Sequence, residues 1–181
     1  MIRAIAALAL ISASAHSFAA ATSKAADTLS STAPWWEKVT VTIAGDGKAQ
    51  SCHFESSLRP ESGKDCDVVG SQAAMGKPSG NNSEFTRITF ERRFTPGPIS
   101  GGSDVEPGDT LLGRQVMALA IDATGSVQGC KIVAVSGDMT PDYGCKEAAA
   151  ERFEASAAKA SVSARQGVMT ILVYGHAEHV V

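Results

Sequence analysis

The chain has 181 residues, 44% of them hydrophobic and 19% charged, with a formal net charge of −3. That length allows one domain or two small ones. A mildly acidic balance without clustered Lys and Arg argues against a nucleic-acid surface.

The first residues read as a targeting signal. Met1-Ile2-Arg3 carries one positive charge, and the adjoining apolar run AIAALALI is too short to span a bilayer. Ser17-Phe18-Ala19 or Ala19-Ala20-Ala21 fits a cleavage site, so residues 1–21 are expected to be a signal peptide. The mature chain is then expected to be exported. Residues 22–34 are small and polar, a poorly ordered tail. Trp35 and Trp36 end it, and such a pair at a domain entrance suits packing at a core edge.

Four cysteines, Cys52, Cys66, Cys130 and Cys145, lie in the mature chain. An even count in an exported protein points to two disulfides. Structural zinc sites draw cysteines in closely spaced pairs, and none is present.

An internal repeat organises the mature chain. Val39 to Ser57 aligns without a gap on Met117 to Val135, at a constant offset of 78. Gly47 falls on Gly125, Cys52 on Cys130, and Val39, Val41 and Ile43 fall on Met117, Leu119 and Ile121. Alternating apolar residues followed by Asp-Gly or Thr-Gly read as a strand entering a hairpin turn. The next cysteine comes 14 residues later in the first copy and 15 in the second. Behind Cys145, CKEAAAERFEASAAKA favours helix. Behind Cys66, CDVVGSQAAMG supports only a brief one. Each copy closes on an apolar strand, Phe85 to Phe94 and Val168 to Gly175. Glu91, Arg92 and Arg93 at the end of the first read as edge-strand protection.

The expected fold is α+β: two tandem β-β-α-β units, each a helix packed on a small antiparallel sheet. They span 35–94 and 113–181, joined by a Pro/Gly-rich linker at 95–112. Of the three possible connectivities, the repeat selects Cys52 with Cys66 and Cys130 with Cys145. Each unit is small enough to need such a fastener.

The region Gly113 to Gly175 resembles the C-terminal domain of TonB, the periplasmic energy transducer of Gram-negative bacteria. The resemblance rests on the order of Asp122 to Val127, Ser136-Gly137, Asp142 and Arg152-Phe153. It extends to cysteines in strand two and at the helix start, and more distantly to residues 36–94. It implies a helix on a three-stranded sheet and strand addition, in which the last strand pairs with an extended segment of an outer-membrane receptor. The implied partner-binding residues are Val168, Thr170, Ile171, Leu172 and Tyr174. The implied partner is a protein or extended peptide, such as a receptor segment, with membrane association only through that partner.

No nucleophile elbow or phosphate loop is present, and no catalytic constellation can be assembled. No cofactor is expected. His176 and His179 form an incomplete metal pair, and Asp104, Glu106 and Asp109 lack the spacing of a calcium loop. The expectation is therefore a soluble, non-enzymatic periplasmic interaction module. The alternative is a small enzyme or enzyme inhibitor using a groove between the two units.

Overall fold

The architecture comes from a computed structural model that describes residues 29–59, 63–66, 85–99, 105–155 and 164–177. In chain order the elements are β1 (Leu29–Ser30), β2 (Trp35–Ile43), β3 (Ala49–Ser56), β4 (Lys64–Asp65), β5 (Arg87–Pro96), β6 (Asp109–Ile121), β7 (Val127–Gly137), α1 (Cys145–Ala150), β8 (Arg152–Phe153) and β9 (Arg165–His176). Seven strands form one antiparallel sheet in the order β4-β3-β2-β5-β9-β6-β7, while β1 and β8 pair separately and in parallel.

The repeat is visible in that order. Each half contributes a hairpin and a third strand, and the two third strands, β5 and β9, lie side by side. They pair from Arg87↔His176 to Pro96↔Gly167. Equivalent positions keep equivalent partners: Cys52 faces Val41, and Cys130 faces Leu119. The turns also match, with Gly47 at φ 78° and Gly125 at φ 88°, where a β-carbon would be strained. The two halves share one sheet, and the strands reach into the expected linker at both ends, to Pro96 and from Asp109.

The α+β expectation is corrected. Strand accounts for 60% and helix for 5% of the described residues, and no described helix reaches seven residues. The helix expected from Cys145 stops at Ala150, because Glu151 takes an extended conformation at φ −63°, ψ 149°. Its carboxylate binds Arg92 and Tyr143. Phe153 then drops fully buried into the core, its N–H donating to the Gly125 carbonyl at 2.8 Å. Burial of one aromatic ring outweighs the few tenths of a kcal/mol per residue that helix propensity supplies. The brief helix expected after Cys66 falls on residues 67–76, outside the described residues.

The register places Trp35, Val41, Ile88, Phe94, Met117, Leu119, Met169, Ile171 and Val173 on one face of the sheet, all buried. Ala148 of α1, Phe153 and Met139 cover that face. Phe94 packs between Trp35 and Phe153, with ring centroids 6.0 and 4.7 Å away. It lies over Gly167, where an added β-carbon would come within 2.4 Å of the ring. The opposite face carries Lys38, Thr40, Thr89, Glu91, Arg93 and Tyr174.

Candidate functional site

The five residues expected to line a free edge lie on β9, and β9 is the middle of the sheet. It pairs with β5 on one side and β6 on the other, so its backbone groups have partners on both flanks. Ile171 and Leu172 are fully buried, Val168 and Tyr174 nearly so, and Thr170 partly. The run VMTILVY is apolar on both faces, the pattern of a strand covered on both sides.

The sheet ends elsewhere. On the first half's flank the two-residue β4 covers β3, pairing Asp65 with His53 and Lys64 with Phe54. At the other flank β7 has no neighbouring strand among the described residues. Its eleven residues contain one charge, Lys131. Ile132, Val133 and Val135 are 45%, 39% and 56% exposed. Natural sheet edges are usually short, charged or covered; this one is eleven residues long with one charge, and no described strand covers it.

The fold holds the edge firmly. The Asp122 carboxylate accepts from the Thr124 and Ser126 N–H groups, the Thr124 hydroxyl and Gln128 Nε2, at 2.7–2.9 Å. Chiefly the Thr124 and Ser126 bonds lower its pKa to about 2. The disulfide Cys130–Cys145 ties β7 to α1, and Cys52–Cys66 ties β3 to the chain after β4. Both pairings are the ones the repeat selects, and they accord with an oxidising compartment, extracellular or periplasmic. Behind β7, on the sheet face away from α1, lies a groove of about 550 Å³ whose lining includes Ile99, Ala118, Ala120, Gly129, Lys131 and Val168.

Two charge clusters sit further in. Arg92 projects into the core face, where Nη2 donates to Glu37 and Nη1 to Glu151 and the Tyr143 hydroxyl, beneath the Trp35 ring. Burial opposes its charge, but Glu151, Tyr143 and Glu37 more than offset this and hold its pKa above the ordinary value. Burial raises the Tyr143 hydroxyl pKa. Glu91, 1% exposed on the opposite face, binds Arg93 and accepts from the Tyr174 hydroxyl at 3.0 Å. Burial and then Glu91 raise the Tyr174 pKa. The edge-protection reading of these charges is thus replaced by two internal networks.

His176, one half of the incomplete metal pair, is the last residue of β9. Its Nδ1 lies 3.0 Å from Asp109 Oδ1, in a cleft of about 220 Å³ shared with Thr40, Thr89 and Tyr174. His179 and Asp104 lie outside the described residues. Among the described residues no group of three or more His, Cys, Asp or Glu could hold a metal ion.

No family model, curated protein or solved structure matches the chain.

Proposed function

We propose that the protein is an exported, non-enzymatic periplasmic interaction module that binds an extended peptide or protein segment by strand addition at β7. The observation that carries this reading is the difference between the two edges. In the first half β4 lies antiparallel against His53 and Phe54. The repeat makes Lys131 and Ile132 their equivalents; β6 pairs with these on one flank, and no described strand lies on the other. The first half therefore shows how a neighbouring strand would lie against β7. Backbone groups supply the affinity of such a contact and side chains its selectivity. The resemblance of residues 113–175 to the TonB C-terminal domain supports the same mode of binding, moved from the last strand to β7.

Display of a random extended-peptide library on the folded protein tests this. Selected peptides should lose at least about ten-fold in affinity when Ile132 and Val135 are both changed to lysine. Folding should hold, since exposed substitutions cost within about 0.5 kcal/mol each. N-methylation of alternate peptide amides should weaken binding comparably, because it removes ladder donors. Affinity that survives both changes rules out strand addition at β7.

The cleft holding His176 and Asp109 favours a second reading, a site for a small polar molecule between the halves. An oriented imidazole suits proton transfer. Loss of turnover or small-molecule binding in His176→Ala, in a protein that binds no extended peptide, would establish it in place of the first reading.

A further inference from the structure

The glycines of the central strands are glycines for reasons internal to the fold. A β-carbon at Gly113 would lie 2.1 Å from the Met139 carbonyl oxygen, and one at Gly175 would lie 2.5 Å from the Phe85 ring. Gly129 on β7 has no such reason. Its φ lies outside the left-handed region, and an added β-carbon would meet only the Ala120 methyl, at an ordinary 3.5 Å. The equivalent position in the first half is Ser51, opposite Thr42 as Gly129 is opposite Ala120. The fold therefore accepts a side chain there. Both positions adjoin a β-bulge, at Gln50 and at Gln128, and Ser51 shows that the bulge does not demand glycine; close approach of a ligand or another backbone is the other common reason for a strand glycine.

Gly129 opens onto the 550 Å³ groove, whose floor is the small side chains of Ala118 and Ala120. Lys131, two residues along the same face, is the one charged side chain in its lining. In the first half, the residue that β4 sets opposite the Lys131 equivalent is Asp65.

Resting on the β7 reading, we infer that the partner is an antiparallel extended peptide carrying an acidic residue, one spacer residue and a bulky apolar residue, in that order. The acid pairs with Lys131. The apolar side chain passes over Gly129 into the groove and buries there, while the spacer residue points to the other face. Gly129 and Lys131 are then specificity positions, and Ile132 and Val135 contribute to affinity without choosing sequence.

Acetylated, amidated ten-residue peptides of alternating Thr and Val, with a central Glu-Thr-Phe, provide the test. On the wild-type protein, replacing Phe by Ala or Glu by Gln should each weaken binding about ten-fold. On Gly129→Val the Phe/Ala difference should vanish, and on Lys131→Gln the Glu/Gln difference should vanish. Ala118→Leu fills the groove from its floor and serves as a second variant for the first comparison. If the Phe/Ala preference persists in both groove-filling variants, the groove assignment is overturned, as is the Lys131 assignment if the Glu/Gln preference survives Lys131→Gln. Strand addition at β7 still stands in those cases, provided the Ile132/Val135 lysine double variant abolishes binding. If none of these peptides binds while library peptides do, the inferred motif falls alone. If no extended peptide binds, the β7 reading itself falls.

Discussion

Arg92 shows how much one side chain organises. Its guanidinium links β2 through Glu37 to the residue that ends α1, Glu151, and all three side chains are less than 20% exposed. Breaking a buried pair leaves the other charges uncompensated, so Arg92→Met should cost about 3–5 kcal/mol in denaturant unfolding. Arg92→Lys should recover only part of this, because an ammonium cannot reproduce the fork that reaches Glu37, Glu151 and Tyr143 at once. The clue was in the sequence: Arg92 stands in phase with Ile88, Phe90 and Phe94, so it lies on the apolar stripe of its strand. Reading FERRF as a charge cluster hid that alternation, which sends Glu91 and Arg92 to opposite faces. Asp122 makes a separate prediction at this scale. Its folded pKa of about 2 lies below the ordinary 3.8. A depressed carboxylate stabilises above its unfolded pKa, and the contribution disappears as pH falls through the folded value. The stability gap between wild type and Asp122→Asn should therefore be full at pH 5 and close between about pH 4 and 2. A gap independent of pH would show that the turn bonds do not depend on the charge.

At the scale of elements, α1 depends on its neighbours. Six residues are too few for a helix to persist alone in water. What holds α1 is the disulfide to β7, the buried Ala148 methyl and the Glu147 carboxylate accepting from the Gly144 N–H at 2.9 Å. Replacing Cys130 and Cys145 by alanine should lower stability by about 3 kcal/mol, as expected for a closed loop of this length. Hydrogen exchange should then show amide protection lost at 145–150 while β6 and β9 keep theirs. Equal loss everywhere would mean that the disulfide supports the sheet rather than the helix. Hairpins, turns and cysteine fasteners could be read from the chain because each depends on residues within about 15 positions. The neighbour of β9 could not, since Phe90 and Val173 meet across more than 80 residues of intervening chain. One local sign did point there: a strand apolar on both faces belongs inside a sheet.

For the whole molecule, the junction of β5 and β9 decides whether the halves are independent. A self-sufficient second unit, as a TonB-like reading of residues 113–175 implies, would fold without the first. The junction argues otherwise. Removing β5 would expose the full hydrogen-bonding flank of β9, strip Phe94 from Gly167 and Phe153, and leave Glu151 without Arg92. A bare flank of that length beside Val173, Ile171 and Met169 is a template for another chain. A fragment spanning 105–181, kept oxidised, should therefore dimerise through β9 or precipitate, where the intact protein leaves that strand satisfied. Sedimentation across a concentration series would distinguish these outcomes, and Ile171→Lys should leave the fragment monomeric and unfolded. In the intact chain, calorimetry should show a single unfolding transition for both halves. A stable monomeric fragment, or two separate transitions, would show that the halves fold independently of the β5–β9 junction.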